Sequence, residues 1–314
     1  MSYIAARMDK IIFTPENHKY IRESDGLELM SVSSAKKLFE VANWDHNRRK
    51  SAAQEYFGAK RYKELKDIWE KKGRHILEPE FIEYLVPYMD LSTFDKLVLA
   101  VGERWAEKGR IAREKGTILH AEMENKAISD GYVINPENAK KYPTILTGAK
   151  DDGSNETTVE CLSDLENGFH PEIIAWYFFP TPVFSQSLGK DICGICGTLD
   201  RAFKGNGYCY IRDFKFTTDV LSDYPIPYKN LPPVDHKGVG RESHAEPWDG
   251  YYSTKLSGYK IQLNLYGWLF EQHGLPPKGL HVDNYVNGTN TVFPIPYDRI
   301  AAAESINKIF MDSL

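Results

Sequence analysis

From Ser33 to about Ala127 apolar residues recur three and four positions apart with few prolines among them, and that spacing predicts helix. Within the block, Asp90 to Thr93 offers an N-cap for a helix STFDKLVLAVGERWAEKG; a further helix begins near Ala112, contains GTILHAEMENKAI and stops before Gly131. Ahead of it, residues 10–35 hold IIFTPENHKY and a polar turn closed by glycine, which suits a short hairpin or irregular entry. The period then changes. EIIAWYFFP (172–180), ICGICGTLDRAF (192–203) and YCYIRDFKF (208–216) read as strands, the last two joined by KGNG, whose Asn-Gly pair is a hairpin signal. An amphipathic helix, YKIQLNLYGWLFEQHG, ends at Gly274; LHVDNYVNG offers one more strand and AAAESINKIFMDSL a closing helix.

This order predicts an α/β (α+β) fold, a central mixed β-sheet flanked by helices. It divides into a helical N-terminal region, 1–110, and a core, 111–314, with polar insertions at 131–170 and 217–258. The second insertion has six prolines or glycines between Pro225 and Gly240, and a connection of that length is usually functional or mobile.

Composition changes the picture little. With 42 % apolar and 26 % charged residues the chain has the balance of a soluble globular protein. The opening MSYIAARMDK has no apolar h-region, and nothing approaches the roughly 18 consecutive apolar residues of a membrane span. The expectation is a cytoplasmic protein (host cytoplasm if phage-encoded) without a membrane partner. The net charge of −5 does not mark a nucleic-acid binder, but distribution matters more than the sum. Residues 48–74 hold ten Lys/Arg against four Asp/Glu, whereas 151–169 hold six acids and no base. The acidic loop reads as solvated; the basic stretch, beginning Arg48-Arg49-Lys50, reads equally as a solvated helix face or a DNA contact. Cys193-x-x-Cys196 lies on a predicted strand, where positions three apart face opposite ways, and no second pair completes a zinc site. Buried free thiols are expected for the cysteines.

The candidate chemistry collects on the hairpin. Asp200 lies near the end of its first strand; Asp213 and Lys215, two apart, share a face of the next. Two carboxylates and an ammonium suit Mg²⁺ or Mn²⁺ and a phosphodiester: the ion polarises the phosphoryl oxygen and acidifies water, and the lysine orients that water or offsets charge. His120 and Glu124, four apart on a helix, share a face and can complete the shell. Gln262 and Tyr266, also four apart, suit hydrogen bonds to phosphate oxygens. Singly, each has a bland explanation: a solvated strand edge, a helix-surface pair, a core tyrosine. HExxH, Walker and GxSxG motifs are absent, and GVGRES (238–243) lacks a strand–helix context.

Together, GTILHAEME (116–124), GTLD (197–200), DFK (213–215) and QLNLY (262–266) resemble the PD-(D/E)xK nuclease superfamily, most closely its RecB-type exonuclease branch of phage-type recombination and repair exonucleases. The resemblance covers roughly residues 100–286, with four motifs in order. It implies a restriction-endonuclease-like core, with His120, Asp200, Asp213 and the Phe214 carbonyl as metal ligands and Lys215 as the catalytic lysine. Glu124 is implied as the helix carboxylate, with Glu122 as substitute, and Gln262 and Tyr266 as groups that support the site and contact DNA. The cofactor implied is Mg²⁺ or Mn²⁺, and no iron–sulfur cluster is expected, since no cysteine follows Cys209. The function implied is a metal-dependent DNA exonuclease acting on single- or double-stranded DNA in recombination, repair or phage DNA processing, with room for recombination or replication protein partners. A structure-specific or nicking endonuclease, and a catalytically silent DNA-binding or protein-interaction module, stay open as alternatives.

Overall fold

The computed structural model describes residues 10–14, 19–39, 44–74, 80–130, 132–133, 141–142, 155–156, 161–217, 221, 245–251 and 254–311. The chain opens with strands β1 (Ile11–Thr14), β2 (Lys19–Arg22) and β3 (Glu28–Ser31) and the short helix α1 (Val32–Lys37). Helices α2 (Trp44–Glu70), α3 (Glu80–Leu85) and α4 (Leu91–Asp130) follow, then the two-residue strands β4 (Tyr132–Val133), β5 (Lys141–Tyr142) and β6 (Asn155–Glu156). Long strands come next: β7 (Gly168–Ser185), β8 (Lys190–Gly205) and β9 (Tyr208–Lys215). Helix α5 (Lys255–Gln272), strands β10 (Pro277–Val286) and β11 (Thr289–Ile295), and helix α6 (Arg299–Met311) complete the fold.

The class is the expected one, a mixed sheet flanked by helices. Among the described residues the sheet has nine strands in the order β11-β10-β9-β8-β3-β2-β1-β6, with β7 also paired to β8. Pairing is antiparallel except for β3 with β8 and β9 with β10. Helix α5 is buried along most of its length, which is why its residues Ile261 to Phe270 are almost all apolar. Its first turn is closed by a capping box between Thr254 and Ser257.

Two expectations need correction. Residues 10–14 and 19–39 do not belong with the helices: Ile11, Tyr20, Leu29, Met30, Val32 and Ala35 pack in the sheet's core. The helical unit is therefore α2–α4, inserted between α1 and β7, with a core of its own that includes Ala53, Leu65, Phe81, Leu85, Phe94 and Val101. Nor does a second helix begin near Ala112, since α4 runs unbroken from Leu91 to Asp130 through Gly109 and Gly116. Asp90 caps it, its Oδ2 accepting from the Thr93 amide at 2.8 Å. Helix α2, by contrast, is interrupted at Gly58, where φ is 67°.

One strand was not anticipated. Asn287-Gly288, with φ of 51° and 79°, turns β10 back into β11, the positive-φ pair that a tight hairpin requires. The insertion 217–258 lies largely outside the described residues, as do GVGRES and most of 131–160. No helix among the described residues is long and apolar enough to cross a membrane.

Candidate active site

Strand β8 has two differently used edges. Along one, β7 pairs with it almost from end to end. Along the other, β3 pairs with Ile192 to Cys196 and β9 with Arg201 to Gly205, so residues 197–200 face a gap between two neighbours. The site occupies that gap.

The hairpin register explains how. The last β8–β9 pair is Arg201 with Arg212, so Asp200 and Asp213 stand at the next step, facing each other where the ladder stops. Like charges directly opposite destabilise a strand pair. Here the strands part: β9 continues with β10 (Asp213 beside Val282, Lys215 beside Asn284), and the Phe214 amide donates to Asp200 Oδ2 instead of to a backbone carbonyl.

Asp213 is 4 % exposed, and its buried Oδ2 is held by the Lys215 ammonium. Burial, and then the neighbouring Asp213, hold the Asp200 carboxyl well above the usual carboxylate range, with Lys215 and the Phe214 amide opposing. For Lys215 burial works downward, but Asp213 and Asp200 outweigh it and keep the ammonium above its ordinary value. Its Nζ also lies 5.0 Å from the ring centre of Tyr259 on α5, a cation–π contact.

A third carboxylate joins them. Pro171 pairs with Arg201 and Ile173 with Leu199, which puts Glu172 across from Asp200 on the β7 side. Glu172 has φ of 48°, a left-handed backbone that costs a non-glycine residue about 1–3 kcal/mol and is typically kept where function needs it. Its charge adds to the upward push on Asp200. Asp213, Asp200 and Glu172 thus stand in a row across three strands. The motif pattern does not include Glu172; its signal is the position in register with Asp200.

The floor of the gap is made by two phenols. The Tyr20 hydroxyl accepts from the Thr198 amide at 3.1 Å, and the Tyr266 hydroxyl donates to the Thr198 carbonyl at 2.8 Å. The backbone groups that β8 would otherwise leave bare are satisfied by side chains from β2 and α5. Tyr266, 3 % exposed, therefore supports the site from within and does not present its phenol to a strand of DNA at the surface. Its ring also explains the glycine of GTLD: a Cβ on Gly197 would sit 2.5 Å from the Tyr266 oxygen. Tyr20 was absent from the sequence-derived set.

The remaining candidates fall as follows. His120 and Glu124 are in α4, as expected, but their side chains lie outside the described residues. Glu122 is exposed on the same helix, and Gln262 is partly buried on α5. The Phe214 ring is buried, stacked by Arg201 at 4.2 Å. Of the basic triplet, Arg48 packs over Gly102, Arg49 lies 5.6 Å from the Phe94 ring centre, and Lys50 donates to Asn47 on its own helix. Arg48 and Arg49 thus join α2 to α4.

Among the described residues no three His, Cys, Asp or Glu side chains converge as a preformed metal shell. The donor set still suits a hard dication: Asp213, Asp200 and Glu172 offer carboxylate oxygens from three adjacent strands.

The cysteines are free thiols, with Cys193, Cys196 and Cys209 buried. Cys161 differs. Its Sγ lies 3.4 Å from His273 Nδ1, and that contact lowers the thiol to about 7. Cys161 should be alkylated first by iodoacetamide, with a rate that rises through pH of about 7, and His273→Ala should shift the rise upward; mass-resolved labelling at several pH values checks both.

No protein-family model and no curated protein matches the chain. Among solved structures it is similar to the crystal structure of SSO0001, at 13 % identity and a TM-score of 0.30 over 68 % of this chain. The match spans 64 % of that chain's length.

Proposed function

We propose that the protein is a metal-dependent deoxyribonuclease that hydrolyses phosphodiester bonds, acting as an exonuclease in recombination, repair or phage DNA processing. One observation supports this most: Asp200, Asp213 and Lys215 meet where β8 and β9 part, and the elements that carry GTLD, DFK and QLNLY, β8, β9 and α5, follow one another in the order of the resembled motifs. Asp200 and Asp213 would hold Mg²⁺ or Mn²⁺, with His120, the Phe214 carbonyl and Glu172 as further donors, and the ion would polarise the phosphate and acidify water.

The protein's own groups do the rest. Lys215, kept charged by two carboxylates and steadied by Tyr259, places a donor at the phosphoryl oxygens, where negative charge builds. Tyr20 and Tyr266 fix Thr198, two residues before Asp200, so the carboxylate is held from the backbone up.

The test is incubation with end-labelled linear and closed-circular DNA, with Mg²⁺, Mn²⁺ or chelator. Metal-dependent loss of linear DNA with circles left intact is the expected result; no cleavage of either form with either ion would overturn the reading. Glu172→Gln should lower the rate at least about tenfold without lowering thermal stability, since it removes one of three crowded like charges. A thermal melt beside the cleavage assay separates the two effects.

A further inference from the structure

A cavity of about 440 Å³ opens between α2 and α4, lined by Ser51, Gln54 and Glu55 on one side and Arg104, Trp105 and Lys108 on the other. We propose that it holds one nucleotide of a nucleic-acid strand, the base against Trp105 and the phosphate at Arg104 and Lys108. The proposal rests on the nuclease reading and gives the helical unit its part in it.

The chemistry is that of a nucleotide rather than of an apolar ligand. The volume lies in the range of sites that enclose small organic groups. Trp105, packed in part against the helical core, also lines the cavity, and an indole is the kind of flat apolar surface on which any base stacks. Arg104 and Lys108 are one helical turn apart, so their cations flank Trp105 on the same side of α4. Glu55 pairs with Arg104 and sets its guanidinium, leaving the Lys108 ammonium exposed at the cavity. Facing them, the Ser51 hydroxyl and Gln54 amide provide donors and acceptors for a base edge.

The cavity also takes over what the sequence assigned to Arg48 and Arg49, which are engaged in packing α2 on α4. Trp105 and His120 belong to the same helix, fifteen residues apart in sequence, which at 1.5 Å per residue is about 22 Å along the axis. A strand bound at Trp105 would span several nucleotides before reaching His120.

The experiment is fluorescence anisotropy of a short labelled single-stranded oligodeoxynucleotide with the full chain in chelator. Trp105→Ala and Lys108→Glu should each weaken binding at least about fivefold, whereas Trp105→Phe, which keeps a stacking face, should bind within about twofold of the parent. Hydrolysis of bis(p-nitrophenyl) phosphate with Mn²⁺, a substrate too small to reach the cavity from the site, should be unchanged in all three. Parental affinity in both Trp105→Ala and Lys108→Glu would overturn the proposal. If no variant, parent included, cleaves DNA but the differences in affinity hold, the nuclease reading falls and the nucleotide site stands.

Discussion

Replacing Lys215 with Ala, or Asp213 with Asn, should reduce metal-dependent DNA cleavage at least about 10³-fold, the scale on which a positioned charge at a developing oxyanion acts. Both residues are drawn into one ion pair in the gap between β8 and β9, and neither has a substitute on the adjacent backbone. Single-turnover cleavage measures the loss. Asp200→Asn should be equally inactive and, unlike most buried substitutions, more stable than the parent. The sign follows from the raised carboxyl. A group whose pKa is higher folded than unfolded holds more protons in the folded state, so stability falls as pH rises from the ordinary aspartate range to the folded value. Asparagine removes that dependence while its Oδ1 still accepts from the Phe214 amide. Melting temperatures across acid to neutral pH should therefore diverge, with the variant ahead at neutral pH and level with the parent in acid. A variant less stable than the parent at neutral pH would contradict the crowded-carboxylate account.

The second large effect is on the fold beneath the site. Gly197→Ala places a methyl 2.5 Å from the Tyr266 oxygen and 2.9 Å from its ring. Overpacking of this kind costs about 1–3 kcal/mol, and the ring can yield only by breaking its bond to the Thr198 carbonyl. Tyr266→Phe keeps the ring but leaves that carbonyl without its donor, a cost of about 1–3 kcal/mol. Because one contact is involved, Gly197→Ala with Tyr266→Leu should lose less than the sum of its single changes. Urea titration of the four proteins closes the cycle; additivity would mean that the two residues do not meet.

The hairpin pair was legible because Asn206-Gly207 fixes its register, and register decides which residues face each other. From there Asp200, Asp213 and Lys215 follow. Glu172 did not, because the β7–β8 register shifts between Phe178 and Val183, which hides from sequence what faces Asp200. Tyr20 is bonded to Thr198 from 178 residues upstream, and no local period reports so distant a contact. Tyr266 is named by its motif as a group that supports the site and contacts DNA; the structure shows it bonded to Thr198 from within, because spacing on a helix says which residues share a face and not which way that face turns. The helix start expected near Ala112 is absent because α4 carries on through Gly109 and Gly116; glycine costs a helix only about 1 kcal/mol, which a 40-residue helix absorbs. Asn287-Gly288 is the same signal as Asn206-Gly207 and was sufficient to predict β11.

Among the described residues the helical unit and the sheet have cores without a common residue. Cooperativity in unfolding comes from shared buried contacts, so separate cores favour melting in two steps, which calorimetry would show as two transitions. If the helices bind a strand as proposed, their grip can be tuned by changing α2–α4 while Asp200 and Asp213 stay seated in an undisturbed sheet.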